Sequence, residues 1–453
     1  MTEKYCKFLS SVRAFIPEER IYTDYLRRLA WGTDAGFYRL TPQIVLRAAN
    51  ESEMLRIIAA AAANNVPLTF RAAGTSLSGQ SVSDSVLVVA AKNWEGYEVL
   101  DEGRRIRLQP GVIGAKVSEV LKPYGCRFSP DPASVKSAMV GGIVMNNASG
   151  MNCGTHANSD KVLQSMRIIF SDGSLLDTGS KRSCEEFAST HYDFLAAIEA
   201  LRDKVRADKE LSQRIRQKYA IKNVVGLNLL PLVQHDNVFD IVAHLMVGSE
   251  GTLGFMSEVT MLSERDYEYK ASAMLYFASI DEACRAVVAM RPLCDEAQQR
   301  IVHSAELLDS KSLASVNDPT GENLTAVLTE TKAHTQEDCN KTSSVLSRSC
   351  SNSSSTRQHI SLPTKPSRLN IGQFVQAYSP RWEARAKRVR RALSKMLRSR
   401  LSICQRLRLS WQLCSKATVT TMPVYMVTLW RGTTTSSSIN LSRPMPMWHV
   451  MSS

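Results

Sequence analysis

The first hundred residues alternate short apolar runs with polar segments that favour helix. Ile44–Leu46 predicts a strand. Asn50 followed by Glu53 has the spacing of a helix N-cap and its first-turn acid, and it predicts a helix over the alanine-rich segment that follows. The apolar runs Val66–Phe70 and Ser85–Val89 predict two further strands. The pattern therefore indicates a β-α-β unit that leads the chain into the segment between the last two runs.

That segment, Phe70–Gln80, is rich in small and hydroxyl residues and contains two glycines. Glycine adopts positive φ without steric cost, and successive backbone N–H groups in such a turn form a concave anion site. An ordinary surface loop is the alternative, because Gly/Ser clusters between strands are commonly simple connections. The segment alone leaves both interpretations open.

Further elements follow along the chain. Tyr97–Leu100 and Ile106–Leu108 predict a hairpin, because Asp-Glu-Gly separates them. Residues 113–121 predict a short helix, residues 166–177 a second hairpin, and residues 185–218 charged helices. Strands and helices are thus mixed over most of the chain.

Two more glycine-rich stretches lie beyond the first. Phe128–Ser134 contains two prolines, which hold it extended, and it leads into Gly141–Gly150. Asn146 and Asn147 in this second stretch supply amide donors and acceptors, with ordinary turn chemistry as the alternative. Ile241–Thr260 predicts a strand that enters a third glycine site and a strand that leaves it.

Three glycine-rich turns, each entered from a strand or an extended segment, indicate one elongated ligand that is held at several points. A dinucleotide fits that description. The sequence contains neither G-x-G-x-x-G nor G-x-x-x-x-G-K-[ST]. These absences exclude a Rossmann-bound NAD and a P-loop nucleotide.

Composition narrows the class of protein. The 453 residues, of which 44% are hydrophobic, allow two or three domains with buried cores. No apolar run reaches membrane-spanning length and the N-terminus lacks a signal-peptide layout, so we expect a cytoplasmic location, with peripheral attachment to the inner membrane as a variant. The ten cysteines form no C-x-x-C pair, which predicts free thiols and no metal site.

The net charge of +13 is concentrated at one end of the chain. From Asp338 onward there are 19 Lys and Arg but only two acidic residues, whereas the preceding part carries a net charge of −4. A strongly basic protein normally suggests a nucleic-acid or membrane partner. Here that suggestion applies to the tail alone.

Four blocks carry a family resemblance: Arg71–Gly79, Pro130–Ser134, Gly141–Gly150 and Gly248–Gly254. In this order, over residues 15–335, they resemble the FAD-linked oxidases of the vanillyl-alcohol oxidase type, and most of all the bacterial FAD/iron–sulfur D-lactate dehydrogenases. The resemblance implies an α+β fold. A PCMH-type FAD-binding domain of two α+β subdomains would be followed by the start of an α+β cap domain.

The resemblance also implies FAD as the cofactor and assigns its contacts. The first block would hold the pyrophosphate, and the others would line the isoalloxazine, the ribose and the adenine. The residues assigned in this way are Arg71, Gly74, Thr75, Ser76, Leu77, Ser78, Gly79, Gln80, Pro130, Asp131, Ser134, Gly141, Gly142, Asn146, Asn147, Ala148, Gly150, Gly248, Glu250 and Gly251.

Some relatives attach the flavin covalently through Cys or His, and Cys153 and His156 follow the second glycine-rich stretch. For both residues we expect a packing or hydrogen-bonding role instead.

The implied activity is oxidation of a D-2-hydroxy acid with hydride transfer to flavin N5. We expect D-lactate to be converted to pyruvate, with glycolate and D-2-hydroxyglutarate as competing substrates. The family's G-H-x-x-x-G-N-x-H and E-H-G patterns are absent, so no catalytic residue is assigned. The electron acceptor, which would be a quinone, a cytochrome or an iron–sulfur module, is expected outside this chain, because clustered cysteines are missing.

The family-like pattern ends at Glu337, after which Ser and Arg dominate. When the codons are regrouped in the other frame, Met422–Ile439 permits a G-H-x-x-x-G-N-x-H pattern, and residues 369–401 permit cap-like segments. The genetic code forces some of these residues, since Met426 followed by Val must give Gly. We therefore predict that residues 338–453 are a disordered, out-of-frame translation whose charge is no evidence for a nucleic-acid partner.

These predictions divide the chain into an N-terminal helical segment 1–35, an FAD-binding domain 36–265, the start of a cap domain 266–337 and a basic tail 338–453. The leading hypothesis is an FAD-dependent oxidoreductase that is impaired by loss of most of its substrate domain. The hypothesis from a different class is an FAD- or anion-binding protein without turnover, whose basic tail binds nucleic acid or a membrane.

Overall fold

A computed structural model describes residues 2–150, 153–294, 300–315, 324–351 and 357–359. Within these ranges, three sheets of four or five strands are flanked by helices. The predicted α+β class is confirmed. None of the helices described is long and apolar enough to cross a lipid bilayer.

The first sheet is built from the predicted β-α-β unit. Its strands are β1 (Ile21–Tyr22), β2 (Ile44–Arg47), β3 (Leu68–Arg71) and β4 (Val86–Val89), in the order β1-β2-β4-β3, and its helices are α1 (Glu3–Arg13), α2 (Tyr25–Trp31) and α3 (Glu51–Ala63). Strands β2, β4 and β3 run parallel, while β1 pairs antiparallel with β2. The predicted cap of α3 is present, since the Asn50 side chain accepts a hydrogen bond of 2.9 Å from the Glu53 backbone N–H.

The second sheet is antiparallel throughout and contains both predicted hairpins. Its strands are β5 (Tyr97–Leu100), β6 (Arg105–Leu108), β8 (Leu163–Ile169), β9 (Leu175–Asp177) and β10 (Phe255–Leu262), in the order β5-β6-β10-β8-β9. Strands β7 (Cys126–Arg127) and β11 (Glu264–Arg265) form a separate two-stranded sheet.

Eight helices accompany this second sheet in the described chain. They are α4 (Gly114–Leu121), α5 (Val140–Met145), α6 (Ser159–Val162), α7 (Lys181–Thr190), α8 (Tyr192–Ala207), α9 (Lys209–Lys218), α10 (Pro231–Gln234) and α11 (Val238–Met246). The short helix near residue 113 and the helices over 185–218 were predicted.

The two sheets are joined by a polar contact and by a shared apolar core. The Glu51 carboxylate at the start of α3 accepts hydrogen bonds from Arg167 of β8 at 2.7 and 2.9 Å and from the Ser257 hydroxyl of β10 at 2.8 Å. Ile169 and Phe255 of the second sheet are buried in the same apolar cluster as the residues of α1 and α3. The end of β3 is therefore fixed beside the start of β10.

The prediction of a strand leading into the third glycine site is wrong. Residues 238–246 form α11, because the Asn237 side chain caps the helix by accepting 2.8 Å from the Phe239 N–H. A short apolar run is compatible with either a buried strand or a buried helix, and here the local cap decides. The stretch Gly141–Gly150 likewise begins as helix α5 and not as an open turn.

The third sheet begins the predicted cap domain. It consists of β12 (Tyr269–Phe277), β13 (Ser304–Leu308), β14 (Thr325–Ala333) and β15 (Arg357–His359), in the order β13-β14-β12-β15, with α12 (Ile280–Met290), α13 (Ser310–Ser315) and α14 (Gln336–Ser351). Leu275, Leu307 and Val327 lie in one apolar cluster with Ala283, Val287 and Met290 of α12. One face of the sheet is thus packed against a helix.

The structure differs from the predicted disordered tail over its first residues. Helix α14 continues through Ser351, and it begins where the Thr335 hydroxyl accepts a hydrogen bond of 3.1 Å from the Asp338 N–H. Strand β15 then pairs with β12. Residues 352–356 and 360–453, which hold the rest of the tail and the out-of-frame pattern, lie outside the described residues.

Candidate functional site

A cleft of about 350 Å³ lies where the first two sheets meet, and all four glycine-rich or proline-rich blocks reach it. The predicted site residues that line it are Arg71, Gly74, Thr75, Ser76, Leu77, Ser78, Gln80, Ser134, Gly141, Gly142, Asn146, Ala148, Glu250 and Gly251. Stretches that are up to 180 residues apart in the chain are thus brought to one cavity.

The cleft also has apolar walls, and none of their residues was individually assigned to the cofactor. They come from Phe70, Pro110, Pro132, Ala138, Met139, Ile143, Met145, Phe255 and Met256. Phe70 and Phe255 pack with ring centroids 5.1 Å apart, and Trp94 contacts Phe255 at 5.3 Å. Phe70 and Phe255 lie at the ends of strands that were themselves predicted, but only the folded chain shows that the strand ends meet.

Arg71 closes the loop that follows β3. Its Nη1 donates to the Trp31 carbonyl oxygen at 3.1 Å and to the Ser81 carbonyl oxygen at 3.3 Å, so the side chain joins the start of the loop to its end. A Cβ on Gly74, where φ is +72°, would collide with the guanidinium. Glycine at 74 therefore lets a positive charge lie directly behind a loop of small residues, an arrangement suited to an anion.

Burial lowers the pKa of the Arg71 guanidinium, although Asp34 acts in the opposite direction. No carboxylate in the described chain lies within 4.0 Å of this guanidinium. A negatively charged ligand bound over the loop would compensate the buried positive charge of Arg71.

Glu250 links three of the blocks. Its carboxylate accepts a hydrogen bond of 2.6 Å from the Asn146 side-chain amide and another from Gln80. Its backbone N–H donates to the Met145 carbonyl oxygen at 2.9 Å, and its φ of +56° is unusual for a residue other than glycine. Burial raises the pKa of this carboxyl, while the two hydrogen bonds act against that rise. The side chain thus holds the first, third and fourth blocks around one point.

The remaining predicted residues do not line the cleft and instead contact protein. They are Gly79, Pro130, Asp131, Asn147, Gly150 and Gly248. The Asn147 side-chain amide oxygen accepts from the Asn158 side chain at 2.9 Å and from the Asp160 N–H at 3.0 Å. A Cβ on Gly150 would collide with the Asp131 carbonyl oxygen. The contacts of Asn147 and Gly150 position the lining residues beside them.

The cleft is compatible with a flavin dinucleotide. Its lining combines hydroxyls, amides and a glycine-rich backbone with rings and methionines. A Cβ at Gly142 would meet only the Ala72 Cβ at 3.9 Å, so this helix position opens directly into the cavity. FAD has a polar pyrophosphate and flat ring systems, which match these two kinds of wall.

Cys153 is fully buried and lies beside this site. Its thiol donates to the Ser129 carbonyl oxygen at 2.9 Å and accepts from the Gly150 N–H at 3.1 Å. Burial raises the pKa of the thiol to about 12, so the sulfur stays protonated. These contacts support the expected packing role. His156 is exposed, with its Nε2 3.7 Å from the Glu264 carboxylate.

Sequence reasoning missed one buried carboxyl. Glu306 lies in the middle of β13, only 1% exposed, and neither of its oxygens has a hydrogen-bond partner in the described chain. Burial raises its pKa to about 7, with Lys222 lowering it and Asp131 raising it further. A single acid between the apolar residues of a strand was the available signal.

We expect Glu306 to make the protein less stable as the pH rises from about 4.5 to about 7. In that window the folded state holds a proton that the unfolded chain has released, so the free energy of unfolding falls with pH. Urea unfolding of wild type and Glu306→Gln across this range should show a shallower decline for the variant. Glu119→Gln, an exposed change on α4, serves as the control, and parallel curves for wild type and Glu306→Gln would contradict the assignment.

Known proteins resemble this chain in sequence and in fold. The family of the FAD binding domain matches residues 42–179, which include three of the four blocks whole and most of the residues that line the cleft. The D-2-hydroxyglutarate dehydrogenase of Haemophilus influenzae is 26% identical over 282 residues, covering 59% of this chain and 27% of that protein. The glycolate oxidase subunit GlcD of Escherichia coli K12 is 28% identical over 190 residues, covering 42% of this chain and 37% of that protein.

A solved structure agrees with the fold. The 4-ethylphenol oxidase from Gulosibacter chungangensis matches with a TM-score of 0.58 at 13% identity, covering 84% of this chain and 70% of that one. The chain spans only about a third of the length of the curated relatives described above. The expected cofactor is nonetheless confirmed as FAD. The chain therefore contains a match to the FAD binding domain family over residues 42–179, and its fold is similar to that of the 4-ethylphenol oxidase.

Proposed function

We propose that the protein is an FAD-dependent oxidoreductase that oxidises a D-2-hydroxy acid. The observation that carries the proposal is one cleft that residues of all four sequence blocks line, with both polar, glycine-rich walls and apolar walls. The names of the relatives support the substrate class, because one acts on D-2-hydroxyglutarate and another is a glycolate oxidase subunit.

The chain's own residues would hold and orient the cofactor. The loop at 74–80, with Arg71 behind it, would bind the pyrophosphate, and the helix around Gly142 would let a flat ring approach. Asn146 and Glu250 would fix the distance between these walls. Bound FAD supplies the hydride acceptor, and the electrons would then pass to a quinone, a cytochrome or an iron–sulfur module beyond the described residues.

Within the substrate class, D-lactate is the substrate expected from the sequence, and D-2-hydroxyglutarate is favoured by the first relative. The residues that line the FAD cleft do not distinguish between the two. We propose both, with glycolate, as the panel to be tested.

Gly142→Leu should weaken FAD binding by about tenfold or more, because the added side chain would occupy the cleft without meeting protein. Flavin fluorescence quenching on titration of the full chain with FAD measures the affinity. Gly142→Ala adds only a methyl group and should bind FAD nearly as wild type does. Equal affinity for all three proteins would place FAD outside this cleft, and equal melting temperatures would show that both variants fold.

The FAD-loaded chain should lose its flavin absorption when it is mixed anaerobically with one of the three 2-hydroxy acids of this panel, because hydride transfer bleaches the oxidised flavin. L-lactate is the control and should leave the spectrum unchanged. A flavin that no member of the panel reduces, in this chain and in a chain restored to the predicted frame, would contradict the proposed activity.

We also propose that the chain is impaired because residues after Glu337 are read out of frame. Sequencing of the gene should reveal one inserted or missing nucleotide near codon 338. The frame-restored chain should then reduce its flavin faster than the present chain, because it regains the substrate domain. An intact reading frame at that codon would refute this interpretation.

A further inference from the structure

The face of the cap sheet opposite α12 carries an unusual set of buried polar groups. Side chains alternate along a strand, so Ser304 and Glu306 of β13 point to the same face, away from the apolar cluster of Leu307. Ser304 is 0% exposed and Glu306 is 1% exposed. The Ser304 hydroxyl and both Glu306 oxygens have no hydrogen-bond partner in the described ranges. Such groups are costly in a folded protein unless a ligand or water satisfies them.

The charge of a lysine from the segment before the cap sheet acts on this carboxyl. Lys222 lies in the loop that follows α9, and its charge acts on Glu306, Cys153 and Asp131. Burial lowers the pKa of its ammonium group. Among the residues that the structure describes, no carboxylate comes within 4.0 Å of it.

The loop that carries Lys222 is anchored to the second glycine-rich stretch. The Asn228 side-chain amide donates to the Asp160 carboxylate at 2.8 Å, and the Asp160 N–H donates to the Asn147 side chain at 3.0 Å. His244 of α11 contacts the same carboxylate at 3.0 Å. The ammonium is therefore positioned by residues next to the cleft.

The other charged groups of this region already have partners. Arg127 contacts Asp131 at 3.6 Å and Glu264 at 2.5 Å. Lys332 contacts Glu330 at 3.0 Å. Within the described ranges, neither Glu306 nor Lys222 has an ion pair of this kind, although the charge of each acts on the other.

This pair borders the FAD cleft. Asp131, whose charge acts on both Glu306 and Lys222, directly precedes Pro132, which lines the cleft. The segment 130–134 thus carries both a residue that lines the cleft and a carboxylate whose charge acts on the pair. A small molecule held at Glu306 would lie next to whatever occupies the cleft.

We propose that Glu306, Ser304 and Lys222 bind the substrate: its hydroxyl donates to the Glu306 carboxylate, and its carboxylate pairs with the Lys222 ammonium. Ser304 supplies a further hydrogen bond. This inference rests on the proposed function, and it assigns substrate-binding residues in the described part of the chain. A 2-hydroxy acid carries a donor and an anion on adjacent carbons, so it satisfies both groups at once. An acid without the hydroxyl leaves Glu306 unpaired.

The test is a titration of the FAD-loaded full chain with D-lactate, D-2-hydroxyglutarate or glycolate. Binding is monitored through the change in the flavin spectrum and by calorimetry. Glu306→Gln and Lys222→Met should each raise the dissociation constant about tenfold or more. The matched surface changes Glu119→Gln and Lys116→Met, which break an exposed pair on α4, should leave it unchanged. Propionate, which lacks the hydroxyl, should bind weakly and should not respond to Glu306→Gln.

The outcomes separate this inference from the proposed function. Unchanged affinity in both site variants, or no binding of any 2-hydroxy acid to a chain that holds FAD, would overturn the inference while leaving the cofactor site intact. A chain that fails to hold FAD would contradict the proposed function. Calorimetry on that apo chain would still decide the inference, since heats that are equal in wild type and variants would overturn it.

Discussion

The carboxylate of Glu250 is the contact on which the site depends. It accepts hydrogen bonds from Asn146 and Gln80, and its backbone reaches Met145, so one residue holds together segments from three parts of the chain. Burying a carboxylate is unfavourable unless hydrogen bonds compensate for the lost water. The residue also holds a positive φ, which adds backbone strain that the surrounding contacts must offset. Both unfavourable contributions occur at the residue that holds the walls of the cleft together.

The same principle operates between the sheets. Glu51 accepts from Arg167 and Ser257, and this polar contact joins the parallel sheet to the antiparallel one at the rim of the cleft. The rings of Phe70, Phe255 and Trp94 pack together at this junction of the two sheets. The cavity thus arises where the two sheets pack against one another. The glycine-rich loops line the space that remains for a ligand.

Local features were predictable from the sequence, and long-range ones were predictable only through the family resemblance. The Asn50 cap and the hairpin at 101–103 depend on neighbouring residues, so their signals are contained in a few letters. The convergence of the blocks at Glu250 involves residues about 170 positions apart, which no local pattern encodes. Helix α11 was mistaken for a strand because its apolar run fits both periods and the deciding cap, Asn237, lies just before it.

The polar face of the cap sheet shows the other limit of sequence reasoning. A lone Glu306 in an apolar strand and a lone Lys222 in a loop have no shared motif, and only the folded chain shows that their charges act on one another. Asp131, which acts on both, is next to Pro132 of the FAD cleft. A cofactor site and a substrate site would then share a wall, which is the arrangement that hydride transfer requires.

The most direct test of the central claim, that the four blocks form one FAD site, is a crystal structure of the full chain grown with FAD. We predict electron density for the pyrophosphate against the backbone of residues 74–80, with the dinucleotide extending past Gly142 towards Glu250. FAD bound elsewhere, with this cleft holding only solvent, would contradict the account.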